Sequence, residues 1–119
     1  MAVIAAVRTE GPGRTYRYTW DSMAGGDSGE PVSIPGASDK TVQISGTFGT
    51  STVSIQGSLY AADSGVYANL TDPQGNALTA IAAAALESIT ENTTWIKPVV
   101  AAGSGTPITV VLLARSTMQ

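Results

Sequence analysis

The chain has 119 residues, a net charge of −3, no cysteine and no histidine. That length suits one domain, and folding at that size hides roughly two-thirds of the unfolded chain's surface, so a core can form without staples. The missing residue types exclude disulfide frameworks and thiolate metal sites, and remove the commonest general base and metal ligand.

The opening residues 1–13, "MAVIAAVRTEGPG", carry an apolar run too short to span a membrane and no basic residue ahead of it. They read as an N-terminal arm, either an edge strand or an extension docking on a neighbour, retained in a soluble mature protein. Gly11, Pro12 and Gly13 end it. Residues 14–119 then read as a single domain. In "RTYRYTW", Tyr16, Tyr18 and Trp20 alternate with Thr15, Arg17 and Thr19, which is strand period. The aromatics therefore share one face, away from Arg17, and are expected to enter the core. If exposed, they and Arg14 and Arg17 would be interface anchors, since Tyr, Trp and Arg dominate hot spots.

"DSMAGGDSGEP" is a loop, followed by a short strand "VSI". Its three acids lack the spacing of a Ca²⁺ loop and read as solvated. In "KTVQISGTFGTSTVSIQGSLY", Val42, Ile44 and Phe48 hold one parity, and Val53, Ile55 and Leu59 repeat it after "GTS". The pattern predicts a β-hairpin over 40–60 with one buried face. "VYANL" is a further strand, and "DPQG" places Asp72, Pro73 and Gly75 where a type I turn wants them.

"ALTAIAAAALES" has helical propensity in its alanines and leucine. Against a helix, Glu87 and Glu91 would lie at the wrong end of its dipole, and no polar face interrupts Ala80 to Leu86. The expectation is a strand over 76–82, at most one helical turn near 83–87, and a strand over 88–91; a full helix over 79–88 is the alternative. Ala82, Ala83, Ala84 and Leu86 then offer either a thin surface for a neighbouring subunit or filling for a narrow core. Finally, "TWIKPVVAA" and "PITVVLLAR" flank "GSGT" as a second expected hairpin. The last run is apolar on both parities, so it should be central or covered on both faces. Pro98, without an amide donor, predicts an edge or a bulge.

About eight short strands with regular turns predict an all-β fold, an antiparallel β-sandwich or jelly roll. The chain offers no nucleophile–base set, and its acids read as turn supports rather than a catalytic pair. We expect no enzyme, no cofactor and no metal. The six basic residues are dispersed, which argues against nucleic acid as a partner. Charged residues are 13% of the chain, about half the usual share, with Thr and Ser in their place. Such a surface can be buried between subunits at little side-chain entropy.

Residues 40–115 resemble small structural proteins of phage heads, capsid decoration (cement) proteins. The resemblance rests on "IQGS" at Ile55–Ser58, "LTDPQGNAL" at Leu70–Leu78, "WIKP" at Trp95–Pro98 and "TVVLLAR" at Thr109–Arg115. The chain departs from that pattern in "LYAADSGVYANL", where a polar Asn-Asp-Gly turn is expected. The resemblance implies a β-sandwich or jelly-roll subunit, often trimeric, made in the host cytoplasm and bound to the major capsid protein outside the shell, with no catalytic residues and no membrane. The alternatives are a carbohydrate- or receptor-binding module of a tail or fibre, which needs exposed aromatics, and a head–tail or tail subunit, which would form a ring.

Overall fold

A computed structural model describes residues 3–11, 15–34, 39–60, 65–91 and 93–115. It is all-β, with no helix among the described residues. Eleven strands form two sheets: β1 (Val3–Ile4), β2 (Val7–Gly11), β3 (Thr15–Met23), β4 (Ser28–Gly29), β5 (Val32–Ser33), β6 (Asp39–Gly46), β7 (Val53–Ser58), β8 (Ala68–Asn69), β9 (Ala85–Ser88), β10 (Trp95–Val100) and β11 (Ile108–Arg115). One sheet runs β2-β3-β11-β6-β9; the other runs β1-β4-β10-β7-β8, with β5 also on β10. Four strands have only two residues. β4 and β5 lie in line along β10, interrupted at Glu30 and Pro31. Counted as one, and with β1 and β2 set aside, they leave eight strands. Their orders, β3-β11-β6-β9 against β4/β5-β10-β7-β8, are those of a jelly roll.

The jelly-roll order corrects both expected hairpins. β6 and β7 belong to different sheets, as do β10 and β11. Period 2 identifies a strand with one buried face, but it does not say which strand is the neighbour. Both crossovers are arches, and they close one end of the sandwich together. Gly105 N donates to Ser51 Oγ (3.0 Å), Ser104 N to Thr50 Oγ1 (3.0 Å) and Thr47 N to the Pro107 carbonyl (3.0 Å). Gly105 is needed there, since a Cβ would stand 2.4 Å from the Phe48 carbonyl oxygen.

The core lies between the sheets. Trp20 and Met23 of β3, Val42 and Ile44 of β6, Val53 and Ile55 of β7, Ile96 and Val100 of β10, and Ile108, Val110 and Leu112 of β11 are almost wholly enclosed. Each such side chain stabilises the fold by about 1.5–3 kcal/mol relative to exposure. β10 lies inside its sheet, so Pro98 is not at an edge; it stands where the β4/β5 ladder is interrupted and shifts register by one residue, as the bulge alternative expected, and there its ring lies against Gly29, where a Cβ would fall 2.5 Å from Pro98 Cδ. Residues 3–11, read from sequence as an arm, supply a strand to each sheet: β1 pairs β4 in parallel, and β2 pairs β3 antiparallel.

The alanine-rich stretch is neither helix nor the expected pair of strands. Leu78 is buried and exchanges backbone bonds with Leu70 and Ile55, while Ile81 bridges Val53 in both directions (2.9 and 3.1 Å). These contacts hold 78–81 against β7, so the chain there has no intrahelical bonding to make. Ala80 then turns through a left-handed backbone (φ 56°). The expected helical turn near 83–87 is instead the start of β9, which pairs with β6 from Ala85 to Ser88. The "DPQG" turn forms as expected: Gly75 N donates to the Asp72 carbonyl (3.0 Å), and Asp72 Oδ1 accepts from Gln74 N and Asn76 N.

Candidate interaction surface

The outward face of the five-stranded sheet is the strongest candidate. Strand register defines its rows. One row runs Val7, Thr19, Val111, Gln43, Leu86, and the next runs Thr9, Arg17, Leu113, Thr41, Ser88. Val7 and Leu86, exposed by 62% and 67%, stand at the two edges of the first row, and Leu113, 40% exposed, lies in the second. Arg17, Thr41, Gln43, Leu86, Val111 and Leu113 line an open hollow at its centre. Thr fills most remaining positions. Charge gathers at the ends: Arg115 bonds Asp39 (2.8 Å) at one, and Asp21 accepts from Thr109 Oγ1 (2.8 Å) at the other. Arg17 stands between them.

Of the nine sequence-predicted interface residues, eight are described and separate into three groups. Arg17, on β3 directly beside β11, and Leu86, on β9 two strands beyond β11 on the other side, both line the hollow on this outward face. Tyr18 and Trp20 are in the core, and Tyr16 is half-buried against it, which corrects their use as anchors. Trp20 Nε1 donates to the Glu30 carbonyl (2.9 Å), so even its polar edge is satisfied inside the domain. Ala82, Ala83 and Ala84 are exposed in the approach to β9, which removes the core-filling account for those three. Arg14 lies outside the described residues.

Sequence reasoning missed Val7, Val111 and Leu113. The signal for two of them was the second apolar parity of the last strand. That parity is explained by the outward face of a central strand rather than by a second covered core.

One polar cluster stands apart. Thr71 donates its amide (2.8 Å) and its hydroxyl to the Glu91 carboxylate. Lys40 of β6, only 3% exposed, acts electrostatically on Glu91. Burial lowers the Lys40 pKa, opposed by the charges of Asp39 and Glu91. Desolvation alone would raise the Glu91 pKa, but the Thr71 hydrogen bonds, a backbone bond and Lys40 outweigh it, and the carboxyl lies below its ordinary value. The cluster joins β6, the segment after β8 and the segment after β9, and its geometry is that of a clip. Elsewhere the acids support turns: Asp27 Oδ2 accepts from Ala24 N (2.9 Å). Among the described residues, no three acidic side chains gather into a metal-holding group.

The fold and this face define a jelly-roll domain with an open, mostly uncharged sheet face. No protein-family model matches the chain, and no curated protein matches it.

Proposed function

We propose that this chain is a structural subunit of a virion, a capsid decoration or cement subunit that associates with itself, as a trimer, and holds to the major capsid protein on the outside of the shell. The observation that carries the reading is the outward face of the five-stranded sheet, where Val111, Leu113 and Leu86 line one open hollow and Val7 stands exposed at the far edge. Exposed apolar patches bordered by polar residues mark protein interaction sites. Jelly rolls serve in capsid and lectin domains, which supports the reading only by analogy of fold. Binding to the assembled shell but not to free subunits would stabilise the shell by linkage. No catalytic residue, cofactor, nucleic acid or membrane enters this role. The carbohydrate-binding alternative loses the aromatics named for it: Tyr18 and Trp20 are core residues and the half-buried Trp95 has its indole N–H enclosed, which leaves Tyr60, 56% exposed, away from the outward face of this sheet.

The test is light scattering of the purified protein followed by co-sedimentation with empty phage shells. A trimer that sediments with shells is expected, and Leu86→Asp with Leu113→Asp should abolish the trimer contact and shell binding while leaving the circular dichroism of the fold intact. A monomer that ignores shells would overturn the proposal.

A further inference from the structure

The five-stranded sheet ends in β2, whose outer edge is unpaired among the described residues and whose five residues, Val7 to Gly11, are all exposed. Natural sheets guard such edges with charge, Pro or bulges. Here the charges are Arg8 and Glu10, two apart on one strand and therefore on one face. An edge guarded by a single sign repels a copy of itself. An edge carrying both signs around a central residue complements itself.

From this we propose that β2 pairs antiparallel with β2 of a second copy of this chain, about a two-fold axis that passes between the two Thr9 residues. A two-fold axis normal to the sheet places residues of one face opposite residues of the same face, so the axis must pass between the two copies of one residue. Three registers are available near the middle of the strand. Centring on Arg8 sets arginine against arginine, and centring on Glu10 sets glutamate against glutamate. Centring on Thr9 sets each Arg8 opposite the other copy's Glu10, and each Val7 opposite Gly11. Only that register is free of like-charge opposition, which destabilises a directly opposed pair. Within one copy Arg8 already reaches Glu10 (3.3 Å) and lies 5.4 Å above the Tyr16 ring, so the four charges would meet over two aromatic rings. The result is one continuous ten-stranded sheet whose outward face extends across both copies. The other sheet ends on this side in the two-residue β1, too short to direct a register of its own. This contact uses an edge rather than the outward face, and it does not depend on the capsid role.

The experiment uses the natural lack of cysteine. In the pairing proposed, the two Thr9 side chains stand about 4.5–5.5 Å apart, within disulfide reach. Thr9→Cys should form a disulfide-linked dimer under mild oxidation, and Thr47→Cys, exposed in the β6–β7 arch, should not. Equal rates for the two would overturn the proposal. In the Leu86→Asp, Leu113→Asp background, which isolates the edge from the outward face, Arg8→Glu and Glu10→Arg should each weaken dimerisation in sedimentation equilibrium by about tenfold. The double exchange should restore it, because opposite signs again face each other. A double variant as weak as the singles, or a background protein that is monomeric throughout, would overturn the pairing. Loss of capsid binding with dimerisation retained would leave the edge contact standing and sink the capsid role alone.

Discussion

Replacing Glu91 by Ala tests the clip that joins β6 to the segments following β8 and β9. The carboxylate accepts from the Thr71 amide and hydroxyl and offsets part of the charge on buried Lys40. Hydrogen bonds to charged acceptors are worth about 1.5–3 kcal/mol each. Glu91 is half-buried rather than enclosed, and water can replace part of what Thr71 loses. The expected cost is therefore about 2 kcal/mol at pH 7, or roughly 8 °C in the melting temperature of a domain this size. Glu91→Gln keeps one acceptor oxygen and should lose about half as much. The pH dependence has a definite sign. The folded-state pKa of Glu91 is depressed below its ordinary 4.5, so its contribution is full above that value and is lost as pH falls through the folded-state pKa. Lys40, whose pKa is also depressed, acts in the alkaline window below its ordinary 10.5 and leaves this acid limb unchanged. Urea denaturation of wild type and Glu91→Ala from pH 7 into the acid range should give curves that converge as pH falls. A gap under about 0.5 kcal/mol at pH 7, the range of ordinary surface substitutions, would refute the clip. A gap that persists undiminished in acid would refute the role given to the carboxylate charge.

Two further outcomes follow from the arches and the alanine-rich segment. Gly105→Ala should destabilise the fold by about 2 kcal/mol in the same denaturation assay, because its Cβ would meet the Phe48 carbonyl oxygen at 2.4 Å and the backbone must move. Ala83→Glu, at an exposed position, should change stability by no more than about 0.5 kcal/mol. Under the subunit reading it should reduce association in light scattering, and an unfolded monomer would return Ala83 to the core.

The strands were legible in the sequence because side-chain parity is a local property. Val42 and Ile44, Val53 and Ile55, and Tyr18 and Trp20 alternate with polar residues, and all six are buried. Pairing was not legible, because it depends on where a loop goes. The Gly- and Ser-rich links after β6 and β10 have hairpin composition, yet they serve arches that bond to each other at 3.0 Å across 54 positions of sequence. Of the candidate surface, Arg17 and Leu86 were named from sequence, while Tyr18 and Trp20 lie in the core, as their shared parity led one to expect. Val111 and Leu113 were visible as an excess of apolar character in β11, but excess alone does not distinguish a covered face from one awaiting a partner.

The alanine-rich segment illustrates how the two levels compete. A helix over 79–88 would gain propensity worth a few tenths of a kcal/mol per residue. It would lose the four backbone hydrogen bonds that Leu78 and Ile81 make to Leu70, Ile55 and Val53, and would pull the buried Leu78 out of the core. Burial of one leucine alone, at about 1.5–3 kcal/mol, rivals the propensity of the whole stretch. The left-handed Ala80 costs about 1 kcal/mol more than an ordinary residue and still does not reverse the balance. What alanine contributes is small size: after the turn at Ala80, Ala82 to Ala84 reach β9 without a bulky side chain, and Leu86 arrives exposed beside the apolar centre of the outward face. The segment thus delivers a strand and one hydrophobic residue to the edge of the surface proposed for subunit contact, and the small side chains keep the approach to that edge low.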